Sequence, residues 1–219
     1  MQGIFITGTD TSIGKTFIAC KIASELISRN INVIPRKPVE SGCTQTNNKL
    51  IPEDAVKLKQ AAQSTDTIET ICRWRFKQAI SPASAAQLNN QHISLDMLTQ
   101  ACTKNINKDH FLLIEGAGGF YSPICENALN ADLAKQLNLP LILVAENRVG
   151  CINQVLLCLH AIEHYKLKVR AIVLNQLPHS GNISNHYNEL SRHTSIPIFM
   201  FDKDQHPVSY LVNHLLNLN

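Results

Sequence analysis

The sequence predicts an α/β fold, a single domain spanning residues 1–219, with a mostly parallel central sheet between two layers of helices. Three observations lead there. Short, mainly apolar runs recur at residues 4–7, 111–114, 141–145 and 171–174. They lack the polar alternation of a half-solvated strand, so they are expected to be buried on both faces, as in parallel sheets. Stretches with helical spacing separate them, and strand–helix alternation places helices on both sides of such a sheet. The length, 219 residues, suits one compact domain.

In chain order, residues 4–7 form the first strand and lead into a glycine-containing loop. Residues 16–28 follow as a helix, with Ile18, Ile22, Leu26 and Ile27 at core spacing. Residues 33–36 are a second strand. Residues 53–63 and 95–105 are helical, the latter with Ser94 as N-cap. Residues 63–90 are the least regular stretch. The strand at 111–114 ends on Glu115, and a short helix spans 131–137. The strand at 141–145 precedes a long helix at 152–165, and the strand at 171–174 ends on Asn175. Residues 183–193 are helical, 198–200 form a last strand, and 208–216 close the chain as a helix.

Composition narrows the function. Hydrophobic residues make up 44% and charged residues 17%, ordinary for a globular protein. The net charge is +3, and the 20 Lys and Arg are scattered. A nucleic-acid partner calls for a clustered basic face neutralising roughly 6–10 phosphates, so a small phosphate-bearing molecule is the better partner and nucleic acid is not expected. There are seven cysteines and no CxxC pair, and most of the seven are expected to be small buried hydrophobes in a reducing compartment. No basic stretch followed by a long apolar run marks a signal peptide. No apolar run approaches the roughly 20 residues of a membrane span. A cytoplasmic protein without a membrane partner is expected.

The strongest motif is Gly8-Thr9-Asp10-Thr11-Ser12-Ile13-Gly14-Lys15-Thr16, between a strand and a helix. Inward-pointing N–H groups at a helix N-terminus suit a triphosphate. Lys15 can reach the β- and γ-phosphates, and the Thr16 hydroxyl can hold magnesium. The glycines are separated by five residues rather than the usual four, with Thr9 at the customary first-glycine position. The fold is therefore expected to be a three-layer P-loop NTPase fold. A second motif, Glu115-Gly116-Ala117-Gly118-Gly119, puts a carboxylate at a strand end, where phosphoryl transfer uses an acid to position magnesium. A third, Lys37-Pro38-Val39-Glu40-Ser41-Gly42, follows the second strand. Strand C-termini of a parallel sheet gather at one edge, where ligands bind, so Lys37 is expected to share a cleft with Lys15.

In combination, GTDT-x-x-GKT, KPV-x-SG, the Glu53-Asp54-Ala55 triplet, EGAGG, the Gly150-Cys151-Ile152-Asn153 segment and Asn175 ending a late strand closely resemble the dethiobiotin synthetase family over about four-fifths of the chain, residues 3–175. The resemblance implies an ATP- and magnesium-dependent cyclo-ligase. Its substrates would be 7,8-diaminononanoate and carbon dioxide, its route a carbamate and a carbamic–phosphoric anhydride, and its product dethiobiotin. It implies that Ser12, Ile13, Gly14, Lys15, Thr16 and Phe17 cradle the phosphates, with Gly116, Ala117 and Gly118 beside them. It assigns Lys37, Lys15 and Thr11 to catalysis, with Ser41 bonding the reacting group. Thr16, Asp54 and Glu115 would hold Mg2+, and Asn175 with Gln176 would face the adenine. Gly150, Cys151 and Asn153 would receive the substrate tail from a neighbouring subunit, which implies a homodimer.

The chain departs from the family in places. Ser12 stands where glutamate is common, and Glu40 where a small residue is common, adding negative charge near the reacting end. The usual Gly-Glu-Ile-Pro segment is not recognisable, and Phe201-Asp202-Lys203-Asp204 lies near its place.

Other readings are weaker. A nucleotide switch of the partition or septum-positioning type carries a signature lysine near the loop's start, where this chain has Asp10. A cobyrinate amide-forming ligase carries a glutaminase domain, for which 219 residues leave no room. His160 and His164 have zinc-compatible spacing but no third ligand. The apolar face of residues 208–216 lacks the basic residues of a membrane-surface helix, and Trp74 between Arg73 and Arg75 suits packing better than base stacking.

Overall fold

The structure, a computed structural model, describes residues 2–178, 186–202 and 207–217. The chain begins with β1 (Gln2–Gly8), α1 (Lys15–Ser28), β2 (Asn32–Arg36), β3 (Val39–Ser41), β4 (Thr44–Thr46), β5 (Lys49–Ile51) and α2 (Glu53–Ala61). It continues with α3 (Ile68–Ile71), β6 (Trp74–Phe76), α4 (Pro82–Leu88), α5 (Leu95–Thr103), β7 (His110–Glu115), β8 (Pro123–Cys125) and β9 (Ala128–Leu129). It ends with α6 (Asn130–Leu137), β10 (Leu141–Glu146), α7 (Cys151–His164), β11 (Val169–Asn175), α8 (His186–Leu190), β12 (Ile198–Phe201) and α9 (Val208–Leu216).

The main sheet has six strands in the order β12-β11-β10-β1-β7-β2, and every pairing is parallel. Its four inner strands, β11, β10, β1 and β7, are buried on both faces over most of their length, as their apolar runs require. On one face, Ile18, Ile22 and Leu26 of α1 pack with Leu211, Val212 and Leu215 of α9. On the other, Leu98 of α5, Leu133 of α6 and Val155 of α7 cover the sheet. The closing helix therefore docks on the core.

Local signals mark where several helices begin or end. Ser94 caps α5 by accepting a hydrogen bond from the Met97 N–H at 3.2 Å. Asn30 at φ 61° and Asn138 at φ 50° turn the chain left-handed just beyond α1 and at the end of α6. The irregular stretch holds more order than its sequence suggests. Ser81 caps α4, with Pro82 at its first position, and β3 pairs parallel with β6. Asn47 and Asn48, both at positive φ, close the β4–β5 hairpin. The helix predicted at 183–193 ends earlier than expected: its described part, α8, covers His186–Leu190 and gives way to a turn at residues 191–193. Its predicted beginning at 183–185 lies outside the described residues, as do Lys203 and Asp204.

Because all six strands run the same way, Gly8, Arg36, Glu115, Glu146 and Asn175 end at one edge of the sheet. That edge is where the three sequence motifs meet. Among the described residues, no helix is long and apolar enough to cross a membrane.

Candidate active site

The loop between β1 and α1 is shaped by two left-handed residues, Ser12 at φ 55° and Gly14 at φ 89°. The Thr9 N–H donates to the Val144 carbonyl at 3.0 Å, and the Phe120 N–H to the Gly8 carbonyl at 2.9 Å, so the loop is tied to strands on both sides. Asn175, at the end of β11, donates from Nδ2 to the Ile13 carbonyl at 3.0 Å and lies directly against Gly14. The Lys15 ammonium folds over the loop and donates to the Asp10 carbonyl at 2.6 Å.

Lys37 leaves the end of β2, and Pro38 turns the chain into β3. Lys37 is 4% exposed, and its ammonium lies 2.6 Å from Glu115 Oε1 and 3.2 Å from Asp54 Oδ2, with the Gly116 carbonyl at 3.3 Å. The Thr16 hydroxyl donates to the same Glu115 Oε1 at 2.8 Å. Residues from four separate sequence segments thus converge on one cleft of about 370 Å³. Thr11, Ser12, Gly14, Lys15, Thr16, Lys37, Ser41, Asp54, Glu115, Ala117 and Gly118 line it, together with Glu40.

The electrostatics follow from burial and charge. Burial, then repulsion from Lys37, lowers the Lys15 pKa to about 8. Burial also opposes charge on Lys37, but Glu115, Asp54 and Glu40 outweigh it and hold the group above the ordinary lysine value. For Asp54, burial is overcome by Lys37 and by the Thr16 hydroxyl, so its carboxyl sits below the usual range. Lys37 is therefore held in its charged form by its carboxylate neighbours, and Lys15 is a cation that a polyphosphate would reinforce.

The cleft meets the requirements of a magnesium ion. Its donors are all oxygens: the Thr16 hydroxyl and the carboxylates of Asp54 and Glu115. Glu115 Oε2 is buried and has no hydrogen-bond partner among the described residues. Magnesium takes one or two carboxylates and fills its remaining positions with water and phosphate oxygens, so these residues fit it.

Other expected residues lie around the cleft rather than in its lining. Ile13 is buried and presents its backbone, while Phe17 is on the exposed side of α1 beneath the Lys21 ammonium. Gly116 lies against Asn130 and Phe5. Gln176 accepts a hydrogen bond from Asn147 Nδ2 at 2.7 Å. Gly150, at φ 88°, is the N-cap of α7, with Cys151 buried and Asn153 exposed; none of the three lines the cleft of their own chain. All seven cysteines are free, five buried and two half-buried, and burial raises the thiols of Cys102 and Cys158 to about 12.

Two features escape sequence reading. Glu40 lines the cleft, but its carboxylate is turned onto α2, accepting the N–H groups of Asp54 at 3.0 Å and Ala55 at 3.1 Å. Burial, partly countered by Lys37, raises it to about 7. Asn130 organises the glycine loop after Glu115. Its Oδ1 accepts from the Ala117 N–H at 3.0 Å, and its Nδ2 donates to the carbonyls of Ala117, Gly119 and Ser122. From sequence it is an ordinary helix start; only the return of the loop across α6 gives it these partners. Asn130→Ala strands buried backbone groups, and a loss of about 2 kcal/mol in unfolding free energy is expected. Thermal or denaturant unfolding checks this, and an unchanged midpoint would show that the loop holds itself.

A family model described as AAA domain matches residues 2–200. The ATP-dependent dethiobiotin synthetase BioD of Vesicomyosocius okutanii is 39% identical over 204 residues, covering 93% of this chain and 91% of that protein. The protein of the same name from Clostridium botulinum (strain Eklund 17B / Type B) is 36% identical over 202 residues, covering 90% and 89%. Among solved structures, the MinC:MinD cell division complex of Aquifex aeolicus aligns with a TM-score of 0.55 at 11% identity, over 100% of this chain and 96% of that one. The last likeness concerns the fold alone.

Proposed function

The chain belongs to the ATP-dependent dethiobiotin synthetase family, and from that premise we propose how its cleft carries out the reaction. It is an ATP-dependent ligase of biotin biosynthesis with a P-loop domain. One observation carries the residue assignment: Lys37 is buried between Asp54 and Glu115 in the same cleft as Lys15 and Thr16.

In the proposed reaction, one amine of 7,8-diaminononanoate adds to carbon dioxide and loses a proton, giving a carbamate. A carbamate oxygen attacks the γ-phosphorus of ATP, and the bond to ADP breaks. The second amine attacks the carbonyl of the resulting mixed anhydride, phosphate leaves, and a proton is released as the cyclic urea closes. Phosphorylation converts a poor acyl donor into a good one.

Lys37 neutralises the carbamate and then the transferring phosphoryl group, while Lys15 holds the terminal phosphates; fixed cations in a buried cleft stabilise charge as it moves. Thr11 and Ser41 hydrogen-bond the reacting group. Residues 12–17 cradle the phosphates with their backbone N–H groups, and Gly116, Ala117 and Gly118 let the chain pass close beside them. Thr16, Asp54 and Glu115 would hold Mg2+, which supplies neutralising charge for the phosphate oxygens when bound. Asn175 and Gln176 are the proposed adenine-side residues.

The substrate carboxylate is proposed to meet Gly150, Cys151 and Asn153 of a second copy in a homodimer. Glycine at the N-cap of α7 has no side chain to satisfy the first N–H groups, which supports an anion there. The chain is proposed to act as a single ligase domain in the cytoplasm, a setting its seven free thiols support.

Purified protein should release phosphate and form dethiobiotin only with ATP, magnesium, bicarbonate and the diamine together, and EDTA should stop both. Product mass spectrometry and a phosphate assay check this. ATP hydrolysis stimulated by DNA or lipid, with none from the diamine, would overturn the assignment.

A further inference from the structure

Glu40 is a carboxylate of the cleft for which the proposed chemistry has no use, and its partners show another role. It lies on β3, whose pairing with β6 places Val39 opposite Trp74 and Glu40 opposite Arg75. Its backbone is thereby anchored. Its two side-chain oxygens take the N–H groups of Asp54 and Ala55, at 3.0 and 3.1 Å, across a sequence separation of 14 to 15 residues.

Helix α2 needs this support. The first N–H groups of a helix have no partner within it, and Pro52 at the N-cap has no side-chain acceptor to offer. A carboxylate at that end also meets the positive pole of the helix. The cap comes from a distant segment, so it fixes position as well as satisfying donors. Asp54 is one of the two capped residues, and its own carboxylate reaches Lys37 at 3.2 Å, three positions before Glu40 in the chain. Lys37 in turn holds Glu115 at 2.6 Å. The links close a ring: Lys37, the turn through Pro38, Glu40, the start of α2, Asp54, and back to Lys37.

We propose that Glu40 is a positioning residue that sets the Asp54 carboxylate against Lys37 and Glu115, and so controls the metal-dependent part of nucleotide binding. This rests on the reading of Asp54 as a magnesium ligand. Glu40 acts through the backbone of α2, so its loss should leave the phosphate loop intact.

The test measures the affinity of a non-hydrolysable ATP analogue, with Mg2+ and with EDTA, for the full chain and for Glu40→Gln and Glu40→Ala. Affinity in EDTA should stay within about twofold, whereas the Mg2+ concentration giving half-maximal binding should rise about 10-fold or more in Glu40→Ala, the size of loss usual when a group supporting a metal ligand is removed. Glu40→Gln should fall between, since it keeps one acceptor of the same reach. Turnover should decline in step with the Mg2+ requirement. A purely structural cap would lower the melting temperature alone: wild-type Mg2+ dependence in both variants overturns the proposal. If Glu40→Ala does not fold, Glu40→Gln decides by the same criterion. A wild-type protein whose analogue affinity ignores Mg2+ overturns it as well. A wild-type protein that binds Mg2+ and nucleotide but never closes the ring sinks the proposed reaction and leaves this comparison standing.

Discussion

Lys37→Ala is expected to lower turnover by about 100- to 1,000-fold while nucleotide still binds, the loss typical of removing one transition-state charge contact. Lys37 is buried with Asp54 and Glu115 around it, and their charges keep it a cation despite the desolvation. A cation held there costs no reorganisation when negative charge develops on the transferring phosphoryl group. Lys15, which grips the loop from the other side, keeps its contact with the Asp10 carbonyl and loses only the repulsion of Lys37, so an ATP analogue should bind the variant nearly as well. Removing one partner of a buried ion pair also costs about 3–5 kcal/mol of stability, so unfolding must be followed alongside activity. Lys37→Arg separates the two effects. It keeps the charge and should recover stability, but its rigid planar fork does not place a point charge as an ammonium does. Direct measurement of ring closure and of analogue binding tests both variants. Wild-type turnover in Lys37→Ala would remove the residue from the chemistry.

Gly14→Ala is expected to abolish nucleotide binding at the concentrations where wild type is saturated. Gly14 has φ 89°, a left-handed conformation that costs an alanine about 1–2 kcal/mol. The added methyl would also lie on the Asn175 amide nitrogen, well inside van der Waals contact. That nitrogen is the donor to the Ile13 carbonyl, so the clash disturbs the bond that holds the loop. The loop's N–H groups then no longer point inward together. Stability should fall by about 2–3 kcal/mol, the strain and the lost contact combined. The double variant Gly14→Ala/Asn175→Ala removes the overlap but keeps the strain and the loss of the Ile13 bond, so its stability should match the single variant's within about 1 kcal/mol. Analogue titration and denaturant unfolding measure these outcomes. Wild-type affinity in the single variant would mean that the phosphates do not bind at this loop.

Local chemistry made much of the fold legible. Leu112, Leu113 and Ile114 lie in a run too apolar for a half-solvated strand, and β7 is buried accordingly. Ser94 capped its helix as its type predicts. The short pieces between β2 and α5 were not legible, because strands of three residues carry no period to detect. The Asn47-Asn48 turn and the Ser81-Pro82 helix start were present as signals, but each was too brief to distinguish from an ordinary loop.

By itself the sequence determined the phosphate loop, the strand-end carboxylate at Glu115, the lysine at Lys37, and the parallel sheet that brings strand ends to one edge. These depend on residue type and spacing, which are local. Tertiary structure decided the rest: that Lys37 is gripped by Asp54 and Glu115, that Asn175 clamps the loop at Ile13, that Glu40 caps a helix 14 residues away, and that Asn130 supports the glycine loop. Each of these is a hydrogen bond or ion pair between segments far apart in the chain. Its partners are chosen by packing, and no pattern within either segment encodes the other.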